Sequence, residues 1–173
     1  MTASEVPAYE IAEVGTLILA TVINEMIAVR TSAYERWNGP KSPDDQRKEA
    51  DSWLQKIPGR NKPAILVARS GSDLVGYLWG FENTPGDFYI SHIGVRQDCK
   101  RHGIGLALVK SCEELARKRG CGVVSTSTFN RFAGMLTLLI GEGFQIVGTT
   151  KPAGKTDVRI EFEKRLGTGA VAR

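Results

Sequence analysis

A short run of glycine and basic residues, from Lys100 to Gly105, could bind a phosphate group. It lies where the pattern predicts the end of a strand and the start of a helix. Glycine has no Cβ, so the backbone at Gly103 and Gly105 can approach a ligand closely. The first N–H groups of a helix lack intrahelical partners and lie at the positive end of its dipole, which favours pyrophosphate. Further positive charge comes from the side chains of Lys100, Arg101 and His102.

Two other phosphate-binding patterns do not fit this run. A P-loop requires Lys and then Ser or Thr after its last glycine, whereas Gly105 is followed by Leu106 and Ala107. The dinucleotide-binding fingerprint requires a third glycine where this chain has Leu108. A glycine turn with a purely structural role stays open, because two glycines alone are a weak signal of a ligand.

The run resembles the signature of the GNAT superfamily of acyl-CoA N-acyltransferases. In that family the signature is Gln or Arg, two residues, Gly, one residue, and Gly or Ala. Here it reads Lys100-x-x-Gly103-x-Gly105. The resemblance extends over about Pro63 to Leu166. It implies an α+β fold with a mixed central β-sheet flanked by helices.

A second element of the family lies downstream, where Asn130 begins a predicted helix that ends at Glu142-Gly143-Phe144. This resembles the family's Asn…Gly-Phe element and implies that two neighbouring strands splay apart, with the acyl group in the gap. By the same resemblance, the turn backbone would hold the CoA pyrophosphate, and strand backbone groups and Asn130 would hold the pantetheine arm. The implied CoA-binding residues are Ile93, Gly94, Val95, Lys100, Arg101, His102, Gly103, Ile104, Gly105, Leu106 and Asn130.

The chain departs from the family's pattern at the turn. Lys100 replaces Gln or Arg, and lysine can neutralise phosphate but lacks the planar fork of arginine. Arg101 replaces a common glycine. We therefore expect a stiffer turn than in relatives that have glycine at this position.

A third departure concerns the general acid. Many relatives carry a tyrosine four residues before the Gly of Gly-Phe, but that position here is Leu139, and counting from the start of the helix gives Thr137. Protonation of the leaving thiolate would then come from water, from Ser127 or from Thr128, or would need no dedicated acid.

The general base is equally open, although an amine that arrives as ammonium must lose a proton before it attacks. Tyr89 occupies the position where some relatives have Glu. His92 has an intrinsic pKa suited to proton transfer, but strand alternation places it opposite Tyr89, Ile93 and Val95. Glu82 would act through a chain of waters. Each candidate also has an ordinary structural role open to it, and positioning with an oxyanion contact from a strand N–H could supply much of the rate.

The elements around these residues follow from the period of the apolar positions. Residues 9–14 form a strand or lead into a helix at 16–34, and Ser42 caps a helix that starts at Pro43. Later strands are predicted at 63–70, 74–82, 88–95, 122–128, 144–149 and 156–162, and later helices at 104–119 and 131–142. We expect a single domain over residues 1–173, with flexible ends at 1–8 and 167–173.

The N-terminal helices and the loop from Trp37 to Pro43 would form the wall of the acceptor site in this architecture. Tyr34, Trp37 and Trp53 are the candidate lining residues, although core packing would also explain them. The sequence contains no acidic cluster that would indicate a polyamine or a lysine-tail substrate. The identity of the acceptor therefore stays open at this point.

The amino-acid composition indicates which broad class of protein this is. With 42% hydrophobic and 24% charged residues and a net charge of +4, the chain is typical of a soluble globular protein. Three cysteines without CxxC spacing argue against a zinc site or a disulfide framework; Cys112 and Cys121 are expected in the core and Cys99 near the surface. The apolar run 16–23 is too short to span a bilayer. We expect a cytoplasmic protein without a metal.

The leading hypothesis is transfer of an acetyl group from acetyl-CoA to a primary amine of a small molecule, peptide or protein, by direct attack in a ternary complex. The alternative is a non-catalytic acyl-CoA-binding regulatory module of the same fold. A small nucleic-acid binder is a third hypothesis that rests on the basic pI alone, and we expect neither nucleic-acid nor membrane partners. A homodimer is compatible with the sequence.

Overall fold

The structure is a computed structural model that describes residues 8–167. The described residues form seven strands, which make one sheet in the order β1-β2-β3-β4-β5-β7-β6. The β4–β5 pair is parallel and the other neighbouring pairs are antiparallel, which confirms the predicted mixed sheet. The strands are β1 (Glu10–Val14), β2 (Ala64–Ser70), β3 (Asp73–Thr84), β4 (Asp87–Val95), β5 (Val123–Phe129), β6 (Gln145–Thr150) and β7 (Arg159–Arg165).

Within residues 8–167, four α-helices flank this sheet, as the α+β prediction requires. They are α1 (Leu19–Asn38), α2 (Pro43–Lys56), α3 (Ile104–Lys118) and α4 (Ala133–Gly141). Alternation along β2 divides the core into two layers: Ile65 and Val67 pack with α1 and α2, whereas Leu66 packs with α3 and α4. The predicted flexible ends lie outside the described residues, apart from Ala8 and Gly167.

Local signals explain where the first helices begin and end. The N–H of Asp45 donates to the Ser42 hydroxyl (3.1 Å), which confirms the predicted cap. α1 continues to Asn38 and ends at Gly39, whose φ of 70° suits glycine. The loop before α2 is therefore shorter than the predicted segment that starts at Trp37.

The first helical segment is longer than the apolar run that marks it in the sequence. By length and composition alone, residues 16–38 would pass as a membrane span, so the shortness of the apolar run 16–23 does not exclude one. Its packing is that of a core helix. The buried side chains of α1 are Leu19, Val22, Ile23, Met26, Ile27, Val29 and Ala33.

A β-bulge in β4 changes which side chains share a face. Trp79 pairs with His92 and Gly80 pairs with Ile90, so Ser91 has no partner on β3. Side chains on either side of the bulge no longer alternate. Tyr89 and His92 consequently project from the same face, towards α1 and α2, and the prediction that they lie on opposite faces is wrong.

The parallel strands β4 and β5 separate part-way along their length. They pair from Asp87 with Val123 to Ile90 with Thr126, and the pairing recorded for the described residues stops there. β4 nevertheless continues to Val95 and β5 continues to Phe129. The predicted splay is therefore present, and it leaves a gap on the carboxyl side of Ile90.

All three cysteines are free and buried. Cys99 is 5% exposed because the short 3-10 turn Gln97–Cys99 directs its thiol into the core, so the prediction that it lies near the surface is wrong. Cys112 and Cys121 are core residues, as predicted. Within residues 8–167, no group of three or more His, Cys, Asp or Glu side chains is placed to hold a metal ion.

Candidate functional site

A cavity of about 610 Å³ lies at the N-terminus of α3, and we call it the helix-end cavity. It is bounded by the free part of β4, the turn before α3, the first residues of α3 and one side of α4. The lining residues are Ala33, Tyr34, Trp37, Ile93, Gly94, Val95, Lys100, Arg101, Gly103, Ile104, Gly105, Leu106, Thr128, Phe132, Gly134, Met135, Thr137, Leu138, Gly141 and Glu142. The structure thus brings together every residue of the predicted CoA site except His102 and Asn130.

The turn before α3 adopts a conformation that depends on glycine. Gly103 has a φ of 80°, a region that other residues rarely adopt. Arg101, at the position where relatives often have glycine, also has a positive φ, 66°. The first backbone bond of the helix runs from the Ala107 N–H to the Gly103 carbonyl (2.9 Å). The N–H groups of residues 104–106 therefore have no helical partner and are available to an anion in the cavity.

Gly105 keeps the helix end accessible. A Cβ at this position would lie 3.3 Å from Leu138 Cδ1 and 3.7 Å from Val95 Cγ2. A larger side chain would have to occupy space between α3, α4 and β4, which is the space that the cavity takes up. Gly105 is thus a position where side-chain size controls the volume of the cavity.

Three of the residues predicted to contact CoA have other surroundings in the structure: Lys100 and Asn130 bond to the protein itself, and His102 lies outside the cavity. The Lys100 ammonium donates to the Ala33 carbonyl at the end of α1 (2.7 Å). His102 lies outside the cavity lining, and its buried Nδ1 has no hydrogen-bond partner among residues 8–167. Asn130 accepts a bond from the Val158 N–H through Oδ1 (3.0 Å) and lines neither cavity. Lys100 and Asn130 therefore hold the local structure around the site.

A second cavity, of about 450 Å³, lies on the other side of the gap, and we call it the basic cavity. Its lining residues are Arg30, Tyr34, Asn38, Lys56, Arg60, Phe81, Tyr89, Ile90, Ser91, His92, Ile93, Thr126, Ser127, Thr128, Phe129, Arg131, Phe132, Met135 and Arg159. It shares five of these residues with the helix-end cavity: Tyr34, Ile93, Thr128, Phe132 and Met135. The two cavities therefore meet where β4 and β5 separate.

Tyr89 lies in the basic cavity within a network of polar side chains. Its hydroxyl is 2.9 Å from the Ser127 Oγ, and the Arg159 guanidinium donates to it at 3.2 Å. The same guanidinium donates to the Ser127 Oγ (2.7 Å). Tyr89 and Ser127 thus fix the position of a cation, a role that the sequence did not suggest.

His92 also lies in the basic cavity, but its surroundings make it a poor base. The ring lies 4.9 Å from that of Trp53 and 5.5 Å from that of Trp79, measured between centroids. Burial, together with the positive charges of Arg30 and Lys56, lowers the pKa of His92 to about 3. At neutral pH the imidazole is neutral and has little affinity for a proton.

Glu82 lines neither cavity, so its position gives no support to the expectation that it acts as a base. Its carboxylate pairs with the Lys62 ammonium (2.5 Å) and accepts a bond from the Gly86 N–H (3.1 Å). These two contacts hold the pKa of Glu82 below its usual range. They make Glu82 a structural residue at the far end of β3.

A model of the acetyltransferase (GNAT) family matches residues 24–134. This match covers more than half of the chain and includes the turn before α3. The chain belongs to the GNAT acetyltransferase family. No match is found among curated proteins.

Solved structures share the fold of this chain. PaiA N-acetyltransferase of Thermoplasma acidophilum, solved in complex with coenzyme A, is 14% identical over 92% of this chain and 99% of that chain, with a TM-score of 0.68. YncA of Salmonella typhimurium, solved with its cofactor acetyl-CoA, is 16% identical over 96% and 98%, with a TM-score of 0.65. A GNAT acetyltransferase of Bacillus cereus is 14% identical over 91% and 97%, with a TM-score of 0.67. At these identities the likeness concerns the fold.

The position where many GNAT relatives have a tyrosine is buried in this chain. Leu139, which occupies it, is buried in the core, while Thr137 lines the helix-end cavity. A different tyrosine reaches the junction of the two cavities: the Tyr34 hydroxyl donates to the Ile93 carbonyl (2.9 Å). Burial raises the pKa of Tyr34, so its hydroxyl stays protonated at neutral pH.

The aromatic residues predicted to line the acceptor site divide between three locations. Tyr34 lines both cavities, and Trp37 lines only the helix-end cavity, where it lies edge-on against Phe132 (5.1 Å between centroids). Trp53 is 4% exposed and packs in the core beside Trp79, so its predicted role in lining the site is wrong. Only Tyr34 of the three thus lines both cavities.

Replacing His92 by glutamine should reduce the loss of stability in acid. Because the pKa of His92 is about 3 in the folded chain and near 6.5 when unfolded, only the unfolded state binds this proton between those values. Stability therefore falls as the pH falls, by about 2 kcal/mol from pH 7 to pH 5. Urea unfolding of both proteins at the two pH values measures the difference. Parallel pH dependence in the wild type and His92→Gln would contradict the assigned pKa.

Proposed function

We propose that this GNAT acetyltransferase transfers an acetyl group from acetyl-CoA to a primary amine of a small molecule or peptide, by direct attack. The observation that carries the proposal is the junction of two cavities at the gap between β4 and β5. One cavity has the free N–H groups of a helix end, and the other has space for a second ligand. A donor and an acceptor could therefore meet beside Ile93 and Thr128 without a covalent enzyme intermediate.

The residues of the helix-end cavity fit a CoA-type donor. The N–H groups of residues 104–106 would hold the pyrophosphate, since they face the cavity without helical partners. Backbone groups of Ile93 and Val95, on the edge of β4 that β5 leaves free, would hold the pantetheine arm in the manner of an added strand. Acetyl-CoA, when bound, supplies the thioester: a new N–C bond forms, the C–S bond breaks, and the amine proton leaves with the CoA thiol.

The chain would favour this reaction in two ways: it positions the reacting groups, and the positive charges of the basic cavity act on the bound amine. The bond from the Tyr34 hydroxyl to the Ile93 carbonyl supports a backbone edge of Ile93 that faces the gap, from which the Ile93 N–H would contact a developing oxyanion. Positive side chains in the basic cavity lower the pKa of an ammonium bound there and so favour the neutral amine that attacks. Such a site can work without a dedicated base.

A thermal-shift titration with acetyl-CoA tests the proposal, with NAD and ATP as controls. At about a hundred times its Kd, the ligand should add roughly 2.7 kcal/mol to the free energy of unfolding. A shift with acetyl-CoA but not with the controls, followed by thiol release in the presence of amines, would support transfer. No shift at millimolar acetyl-CoA would overturn the donor assignment, and binding without thiol release from any amine would favour the non-catalytic module.

We propose that residues 1–173 form one acetyltransferase domain, since one sheet runs through the described residues. Three free cysteines are typical of a reducing compartment and support a cytoplasmic location. The proposal includes neither a nucleic-acid nor a membrane partner, and a homodimer stays a prediction.

A further inference from the structure

The charged residues that line the basic cavity are all basic. Five basic residues contribute to it: Arg30, Lys56, Arg60, Arg131 and Arg159. No aspartate or glutamate is among the lining residues found within the described range 8–167. The chain as a whole carries a net charge of only +4, so this concentration of positive charge is local.

Two of these five charges are neutralised by carboxylates outside the cavity. Arg30 pairs with Glu49 (3.0 Å), which also accepts a bond from Lys41. Arg131 pairs with Asp157 (3.0 Å). The other three side chains, those of Lys56, Arg60 and Arg159, form no ion pair within 4 Å in the described part of the chain, which leaves the cavity with a net positive charge.

Arg159 is an exposed residue that is held by hydrogen bonds although its charge is not neutralised. It projects from β7, and its Nε and Nη2 donate to the Ser127 Oγ at 3.0 and 2.7 Å. Its Nη2 also donates to the Tyr89 hydroxyl (3.2 Å). Because both partners are hydroxyl groups rather than carboxylates, these bonds orient the guanidinium without neutralising it, as in sites that bind carboxylate or phosphate.

Arg60 is placed on the same side of the cavity by an aromatic ring. Its Cζ lies 4.8 Å from the centroid of Phe81, whose ring is 5.8 Å from that of Tyr89. A cation–π contact orients a guanidinium without neutralising it. Arg159 is therefore bonded to Tyr89 directly, whereas Arg60 is linked to Tyr89 only through the Phe81 ring.

We infer that the acceptor is a small amine whose other end carries an anionic group, a carboxylate or a phosphonate, held by Arg159 and Arg60. The inference rests on the proposed function, since it names the substrate class of that same site. The anion offsets the cavity's unpaired charges, while the amine lies towards the gap beside Ile93. Polyamines and other amines with a cationic tail are repelled by the same charges.

The test uses four amines of similar length whose far ends differ in charge: butylamine, 1,4-diaminobutane, 4-aminobutyrate and 3-aminopropylphosphonate. The comparison is repeated with sets of four amines that have shorter or longer carbon chains between the amine and the far end. Binding to the CoA-loaded full chain is measured by calorimetry, and turnover by thiol release. The two anionic amines should bind about tenfold or more tightly than butylamine, and diaminobutane most weakly. Equal or tighter binding of butylamine or diaminobutane would overturn the inference.

Two variants and a matched control locate the effect. Arg159→Gln and Arg60→Gln should each reduce the preference for anionic tails by about tenfold. Arg165→Gln makes the same change on the same strand, at an exposed residue that lines neither cavity, and should leave the preference unchanged. Higher ionic strength should narrow the preference in the wild type. An equal effect of all three substitutions would contradict an anion site at Arg159.

The two proposals fail in different ways. If acetyl-CoA gives no thermal shift, the proposed function is wrong, and the inference about its acceptor falls with it. If acetyl-CoA binds and butylamine is acetylated as well as aminobutyrate, the proposed function stands and only the inference is wrong. The variants add a third distinction, because Arg159→Gln should change amine binding and leave the acetyl-CoA shift intact.

Discussion

Replacement of Gly105 by valine should weaken the binding of acetyl-CoA by about a hundredfold, or about 2.8 kcal/mol. A Cβ at this position already lies 3.3 Å from Leu138 and 3.7 Å from Val95, so two further methyl groups must take space from the helix-end cavity. They would keep the pyrophosphate away from the N–H groups that start α3. Calorimetric titration of acetyl-CoA measures the change directly.

The matched control is Gly122→Val, which lies just before β5. Nothing within 4 Å would meet a Cβ there, and the residue lines neither cavity. We expect wild-type affinity for acetyl-CoA from this variant. Equal affinity in Gly105→Val and the wild type would place the donor elsewhere. Because the φ of Gly105 is not positive, loss of binding should not be accompanied by the backbone strain that a change at Gly103 would add.

Replacement of Gly80 by alanine should destabilise the fold by about 3 kcal/mol or more. The added Cβ would lie 2.4 Å from the Tyr89 carbonyl oxygen and 2.6 Å from the Phe88 ring. Both neighbours belong to β4, next to the bulge at Ser91, and the carbonyl cannot move without breaking the sheet. Urea unfolding of the two proteins gives the difference in free energy.

Gly148→Ala provides the control for this prediction. Gly148 is also a strand glycine beside a register shift, but a Cβ there would meet the end of the exposed Glu161 side chain at 2.9 Å. That carboxylate can rotate away, so the cost should be below about 1 kcal/mol. Similar losses in the two variants would show that the close contact at Gly80 is relieved by movement of β4.

Features with local signals are predictable from this sequence. The cap at Ser42 and the glycine at position 103 act through the residues next to them, and the structure has both in the expected places. The mixed sheet and the splay of β4 from β5 follow from the family resemblance that the turn carries. Family likeness thus transfers the fold even where individual side chains differ.

Features that depend on distant partners are not predictable in this way. The bulge at Ser91 exists because of how β4 pairs with β3, and it reverses the face that simple alternation assigns to His92 relative to Tyr89. Arg159 reaches Tyr89 across 70 residues of sequence, and no pattern around either residue indicates the contact. The low pKa of His92 likewise arises from neighbours on three other elements.

The common wall of the two cavities has a consequence for inhibition. Because Ile93 and Thr128 line both, a single compound that joins CoA through its sulfur to an anionic amine could fill both cavities at once. Covalent joining makes the second binding event intramolecular, with an effective concentration in the millimolar range for a short link. Such a bisubstrate ligand would contact both the N-terminus of α3 and Arg159. It would therefore bind more tightly to enzymes that have both features than to enzymes that have only one.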